Sequence, residues 1–208
     1  ETTEELGANL PVVKVGAAEL IGRVLPGNTY EYGYKIGSTD ADGEKAITIS
    51  LSDPAGNEAA GLEGGRFTVD STPPAVSNLA ADRARLSAVA GHEVVTATFD
   101  CAEDVGAGVA ATIGGQAMLC GARRPAAPNY ACTYTVKGNE GEGVKEISVT
   151  TTDAAGNTGV GSRTVELDFT GPDLSLAVQP TGRPARLGEL VTVGVASIEA
   201  LDGGGIQL

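Results

Sequence analysis

The fold is decided by two stretches, Gly43-Glu-Lys-Ala-Ile-Thr-Ile-Ser-Leu-Ser-Asp-Pro-Ala-Gly-Asn57 and Gly143-Val-Lys-Glu-Ile-Ser-Val-Thr-Thr-Thr-Asp-Ala-Ala-Gly-Asn157, which lie 100 residues apart. Seven of their fifteen positions are identical. Further along the chain, Val69-Asp70-Ser-Thr-Pro-Pro74 matches Leu167-Asp168-Phe-Thr-Gly-Pro172, now two residues out of phase. A period near 100 residues is the length of a whole domain, so we predict that the chain is a tandem array of domains.

A third, partial copy follows residue 171. Pro184-Ala-Arg-Leu187 resembles Arg83-Ala-Arg-Leu86, and Leu190-Val191-Thr192 resembles Val94-Val95-Thr96. We therefore predict that 1–72 is the C-terminal part of a first repeat, 73–171 a complete repeat and 172–208 the N-terminal part of a third. The simplest explanation is a segment of a longer array.

Alternating apolar and polar residues predict half-buried strands throughout. The pattern is clearest where Tyr30, Tyr32, Tyr34 and Ile36 alternate with polar residues or glycine. Convincing helical periodicity is absent from the sequence. The predicted strands of the middle repeat lie around Val76–Leu79, Val94–Phe99, Val109–Ile113, Tyr130–Val136, Ile147–Val149 and Val165–Leu167. About seven short strands per 100 residues predict an all-β fold of antiparallel sandwiches.

Two recurring motifs punctuate these strands. One is a turn motif that we expect to fix a hairpin, because Asp accepts bonds from following N–H groups and Gly and Asn tolerate positive φ. Its residues are Asp53, Gly56, Asn57, Asp153, Gly156 and Asn157. The other is the proline-stiffened linker 70–74, which predicts a fairly rigid connection between repeats.

Composition excludes several functions. The 208 residues hold 14 Lys and Arg against 27 Asp and Glu, for a net charge of −13. This acidity argues against nucleic acid and anionic membranes as partners, and no apolar run is long enough to insert in a membrane. His92 is the only histidine and has no accompanying nucleophile motif, so we predict no catalytic residues, no bound cofactor and no enzyme.

The three cysteines, Cys101, Cys120 and Cys132, lack the spacing of a zinc site. A disulfide between Cys120 and Cys132 would close a short loop and imply an oxidising compartment. The alternative is that all three are small buried apolar residues. We favour the disulfide, which leaves Cys101 as the cysteine outside the bridge.

The whole chain resembles the tandem bacterial immunoglobulin-like (Ig-like) repeats of large secreted and cell-surface proteins. The resemblance rests on the turn motif, the Val69–Pro74 junction, the Tyr130–Tyr134 strand and Glu103-Asp-Val-Gly-Ala-Gly108. Phe169 and Gly171 depart from the usual junction pattern. The resemblance implies a structural or adhesive segment of an extracellular surface fibre, with neighbouring repeats and a cell-surface or matrix ligand as partners.

Three alternatives stay open. The first alternative is that the segment is a spacer or carbohydrate-binding module of a secreted enzyme, although aromatic residues are few and Trp is absent. The second alternative is that calcium binds near the junctions, as in some related repeats. Its ligands would be Asp70 and Asp168, with Asp53 and Asp153 as further partners; otherwise these residues cap turns. The third alternative is that residues 172–208 of one molecule complete residues 1–72 of the next by strand addition, which would build a filament.

Overall fold

A computed structural model describes residue 6 and residues 10–27, 29–123 and 130–198. Every regular element in these ranges is a β-strand, so the predicted all-β class is confirmed. No helix among them has the length and apolarity needed to cross a membrane. The predicted bounds of the first and third repeats include residues outside these ranges, and the division at 72 and 171 stays a prediction.

The first six strands form what we call the N-terminal group. They are β1 (Val12–Val15), β2 (Ala18–Glu19), β3 (Gly22–Leu25), β4 (Thr29–Tyr32), β5 (Gly43–Ser52) and β6 (Glu58–Val69). One sheet has the order β2-β1-β5-β6, and β3 pairs with β4 in a second, two-stranded sheet. All pairings in this group are antiparallel.

The next nine strands form the middle sandwich. They are β7 (Val76–Ala81), β8 (Arg85–Leu86), β9 (Val94–Cys101), β10 (Val109–Ile113), β11 (Gln116–Ala117), β12 (Leu119–Ala122), β13 (Tyr130–Thr135), β14 (Gly143–Thr152) and β15 (Thr158–Leu167). Its two sheets have the orders β11-β10-β14-β15-β8 and β12-β13-β9-β7. Seven of these strands are longer than two residues, which matches the predicted count. The pairing of β8 with β15 is parallel, unlike the rest.

The core of the middle sandwich lies between its two sheets. Along β9, Val95, Ala97 and Phe99 are fully buried, and every second residue between them is only half-buried, which is the period of two expected of a strand. Ile147 and Val149 of β14 face them and are also fully buried. Burying each of the large side chains contributes roughly 1.5–3 kcal/mol.

An acid-to-tyrosine contact closes the loop before β5 and the loop before β14. The Tyr34 hydroxyl donates to Asp40, and the Tyr134 hydroxyl donates to Glu140 Oε1 at 2.9 Å. Each carboxylate also accepts backbone N–H bonds, from Gly37 in the first case and from Lys137 in the second. The repeat therefore extends to side-chain contacts that hold the loop between two sheets.

The two-residue slip in the repeat has a structural origin in β6. This strand has twelve residues, whereas its counterpart β15 has ten. Pairing of β5 with β6 shifts register between Ile47 and Thr48 and again between Ile49 and Leu51. The β14–β15 ladder runs without a shift. Two bulges in β6 thus absorb the extra residues, and the offset falls from 100 to 98.

The last two strands, β16 (Leu174–Gln179) and β17 (Thr192–Ser197), form an antiparallel hairpin that we call the C-terminal hairpin. All six residues of β16 are exposed. The sequence predicts that this hairpin is a third copy of β7 and β9, which in the middle sandwich lie side by side in one sheet.

Candidate functional site

The turn motif connects β5 to β6 and β14 to β15. Asn157 donates its backbone N–H to Asp153 Oδ1 and its side-chain amide to Oδ2, both at 2.9 Å. Asn57 makes the same two bonds to Asp53, at 2.8 and 2.6 Å. Gly156 has a φ of 93°, which suits glycine and few other residues. The structure thus places both copies of the motif in a closed hairpin turn.

Asn157 also reaches the linker between the N-terminal group and the middle sandwich. Its side-chain amide donates to the backbone oxygen of Asp70 at 3.1 Å, across 87 residues of sequence. Within the described chain, the side-chain amide of Asn57 donates to Asp53 alone. The turn of the middle sandwich therefore holds the start of the linker in place.

The N-terminal group holds the same linker from its other side. Asp42 Oδ1 accepts the backbone N–H of Ser71 at 2.8 Å and its hydroxyl at 2.6 Å, and Asp42 Oδ2 accepts the Thr72 hydroxyl. These bonds from Ser71 and Thr72 lower the pKa of the Asp42 carboxyl, so the contact persists as pH falls into the mildly acidic range.

Packing completes the anchoring of the linker. Pro74 is fully buried, and its carbonyl oxygen lies over Gly159 of β15. A Cβ atom added to Gly159 would sit 1.8 Å from that oxygen, so only glycine permits this approach. The linker is thus fixed at Asp70, at Ser71 and Thr72, and at Pro74.

The second linker repeats the acid anchor. Glu142 Oε1 accepts the backbone N–H of Phe169 at 2.9 Å and the hydroxyl of Thr170 at 2.6 Å. The Thr170 hydroxyl and the Phe169 N–H lower the pKa of Glu142. Although Phe169 and Gly171 depart from the usual junction sequence, Glu142 holds the start of the second linker as Asp42 holds that of the first.

Three carboxylates meet beside the first linker. Asp70 follows β6, Glu103 follows β9 and Asp153 follows β14, and one oxygen of each lies within 4.8 Å of the others. Desolvation, then repulsion from Asp153 and Asp70, raises the pKa of Glu103. A cation could contact all three, although Ca²⁺ takes six to eight oxygen ligands and both Asp153 oxygens already accept bonds from Asn157.

The structure brings together only two of the four calcium ligands predicted from sequence. Asp70 and Asp153 lie close to each other, and the third member of their cluster, Glu103, was not predicted. Asp168 lies at the second linker, where it accepts the N–H of Thr170 at 3.3 Å. Asp53 lies in its own turn, bonded to Asn57. Calcium binding stays a prediction.

Cys120 and Cys132 form a disulfide across the β12–β13 pair, where they lie directly opposite each other. Cys132 is fully buried, and Cys101 is buried and takes no part in the disulfide. Part of the intervening loop, 124–129, lies outside the described residues. The disulfide ties the outer strand of the second sheet to its neighbour.

The single histidine lies in a turn. His92 is exposed just before β9, its backbone N–H donates to the oxygen of Val89, and its own carbonyl accepts the N–H of Ser87. These are backbone contacts that shape a loop, and the imidazole makes none of them.

Aromatic side chains are turned inward. The five tyrosines and three phenylalanines all lie among the described residues, and none is exposed. Phe99 and Tyr130 stack in the core with ring centroids 5.5 Å apart. Tyr34 packs against Phe67 at 6.0 Å.

Comparison with known proteins finds similarity at the level of structure. No protein-family model and no curated protein sequence matches the chain. Among solved structures, the fibronectin(III)-like modules of CbhA from Clostridium thermocellum are similar at a TM-score of 0.40 and 19% identity, over 76% of each chain.

Proposed function

We propose that this chain is a structural segment of an extracellular bacterial surface stalk or fibre, in which Ig-like sandwiches are joined by stiff linkers. The observation that carries the proposal is the anchoring of residues 70–74 from both sides, by Asp42 on one side and by Asn157 and Gly159 on the other. A flexible tether between independent domains needs none of these bonds. A spacer that transmits position or force along an array needs all of them.

Repetition of the anchor supports this role. Asp42 and Glu142 occupy equivalent positions in successive copies, and each accepts bonds from the residues that follow the last strand. An array built by one repeated junction has the same local geometry at each step. The disulfide further suits an oxidising, extracellular location.

The second candidate is a spacer within a secreted enzyme. The anchored linkers suit that role equally well, because a catalytic domain also requires separation from its anchor. The carbohydrate-binding version of this alternative is less well supported. Sugar-binding surfaces stack sugar rings on exposed aromatic side chains, and here all eight aromatic residues are at least half-buried.

The proposal is tested by where the natural protein is located in the cell and by which other domains its polypeptide contains. We expect brief protease treatment of intact cells to release peptides of this segment, and the intact natural protein to have a mass many times 20.8 kDa, made of further repeats. A catalytic domain in the same polypeptide would favour the enzyme-spacer alternative. Recovery of the segment only after cell lysis would refute both.

A further inference from the structure

The strand β12 lies at the edge of the second sheet of the middle sandwich and meets the core through one side chain. That side chain is Cys120, which packs against the buried cluster and is joined to Cys132 by the disulfide. The other three residues of β12 are exposed, and Leu119 is 79% exposed. The Thr133 hydroxyl adds one long bond to the Leu119 oxygen, at 3.4 Å. The main attachments of β12 are therefore four residue pairs with β13 and the disulfide.

Residues that border this hairpin are anchored without help from the disulfide. Met118, directly before β12, is 8% exposed and donates its backbone N–H to the Ala111 oxygen at 2.9 Å. Tyr130, at the start of β13, is fully buried and stacks on Phe99 of β9. Strands at the edge of a sheet open with a smaller free energy than the core does. Detachment of β12 therefore does not require the sandwich to unfold.

The two sulfur atoms of the disulfide differ in their access to solvent. Cys132 is fully buried, whereas Cys120 is half-buried. No further strand of the described chain lies beyond β12 in its sheet, so Cys120 is open from that edge. Cys132 has Ala97 of β9 on its other side, which is itself fully buried. Because an attacking thiolate must reach one sulfur and expel the other, access favours attack on Cys120 with Cys132 as the leaving group.

The equivalent hairpin of the N-terminal group, β3–β4, is closed without sulfur. Its register places Gly22 opposite Tyr32, at the positions that the disulfide occupies in β12 and β13. The Tyr32 ring fills the space that a Cβ atom of Gly22 would take, and its hydroxyl donates to the Pro11 oxygen. Next to this pair, Arg23 donates to both carboxylate oxygens of Glu31, at 2.8 and 3.0 Å. The same hairpin is thus closed by thiol-insensitive contacts in one copy and by a reducible bond in the next.

We propose that Cys120 is a modification site for low-molecular-weight thiols, and that cleavage of its bond to Cys132 releases β12 from the sheet. The external thiolate forms a new S–S bond to Cys120 Sγ. The bond between the two cysteines breaks, and Cys132 Sγ takes the electron pair and then a proton from water. A second thiol displaces the first from Cys120, and the two external thiols leave as their own disulfide. The chain gains two electrons, which the thiols lose. This redox response goes beyond the spacer role and does not rest on it.

Trapping of the first product identifies the sulfur that is attacked. The folded chain is exposed briefly to reduced glutathione, quenched with acid and digested, and the glutathione adducts are located by mass spectrometry. We expect the adduct on Cys120 to exceed that on Cys132 by about tenfold or more, since only Cys120 is reached from the edge of the sheet. Equal adducts on the two cysteines, or cleavage only at denaturant concentrations that unfold the whole chain, would overturn the proposal.

Amide hydrogen exchange shows whether β12 opens alone. Full reduction of the unaltered chain should accelerate exchange at residues 119–122 by about tenfold or more, and should leave residues 95–99 of β9 unchanged. Residues 22–25 of β3 are the internal control, because their hairpin holds no disulfide, and they should not respond. Equal acceleration across the middle sandwich would mean that the bond only stabilises the fold as a whole, and no acceleration at 119–122 would mean that β12 stays paired. Either result would refute the release of β12.

A variant without the disulfide separates loss of the bond from other effects of the reductant. With Cys120→Ser and Cys132→Ser combined, residues 119–122 should exchange as fast as in the reduced chain, and addition of reductant should change nothing. Slow exchange in this variant would show that the four residue pairs hold β12 without the sulfur atoms, which contradicts the proposal. A further acceleration by reductant would show that the response does not arise from this disulfide.

Discussion

Replacing Asn157 by Ala is expected to loosen the first linker without unfolding either neighbour. The side-chain amide of Asn157 donates to Asp153 within its turn and to Asp70 in the linker, where the backbone oxygen lies at 3.1 Å and the carboxylate Oδ1 only at the longer distance of 3.5 Å. An exposed hydrogen bond of this type contributes a net free energy of about 0.5–1 kcal/mol. Loss of the linker bond should therefore raise the population of open linker conformations about two- to fivefold, since 1.4 kcal/mol corresponds to a factor of ten.

Asn57→Ala is the matched control for this change. Asn57 makes the same bonds inside its turn, to Asp53, but within the described chain none to a linker. Both variants should lose similar local stability, and only Asn157→Ala should change the linker. The difference between the two variants isolates the bond to Asp70.

Distances across the linker provide the assay. Nitroxide labels at Ala18 and Val144, both exposed, report the separation of the N-terminal group and the middle sandwich by pulsed electron resonance. Diluting the labelled chain with an excess of unlabelled chain removes distances measured between labels on two different molecules. We expect one narrow distance distribution for the unaltered chain and for Asn57→Ala, and a broadened one for Asn157→Ala. If Asn157→Ala and Asn57→Ala gave the same distribution, the linker bond would have no mechanical role.

Three further predictions concern stability. Cys120→Ser should lower the unfolding free energy by about 3 kcal/mol in urea titrations, because the disulfide closes a loop of 12 residues, and reductant should then have no additional effect. Phe99→Ala should cost about 3–5 kcal/mol, whereas Phe67→Ala, at a half-buried position of the open N-terminal group, should cost about half as much or less in the same titration. Glu103→Gln should raise the melting temperature at neutral pH, because the raised pKa of Glu103 means that its charged form disfavours folding. This advantage should shrink as pH falls through that pKa, since both side chains are then neutral, and an advantage that is constant with pH would contradict the electrostatic explanation.

Fold class followed from the sequence because period-two patterns and turn residues are local signals. Ile47, Ile49 and Leu51 alternate with polar residues, and the strand β5 lies there. The turn at Asp53 closes as the residue types predict. Short strands were harder to detect: Gly22–Leu25 and Leu119–Ala122 carry too few alternating residues to be distinguished from loops before their partner strands are known.

The contacts at the linker could be predicted only in part. Asp70 and Asp153 carry a turn signal in the sequence, but Glu103 joins them because the ends of β6, β9 and β14 meet at one place. That meeting depends on the packing of two sheets, which no local pattern specifies. The role of Asp42 has a weaker signal in the sequence. It and Glu142 are acidic residues before a glycine in successive copies, and this shared chemistry is visible only when the repeat is extended by one residue.

The strand around Tyr30 shows how a missing neighbour changes what a pattern can form. Alternation from Tyr30 to Ile36 predicts seven residues of strand, whereas β4 ends at Tyr32. Its counterpart β13 continues to Thr135, and there Tyr134 and Thr135 pair with Val95 and Val94 of β9. Alternation therefore marks where a partner strand would lie, and ladder bonds form only if that partner is present.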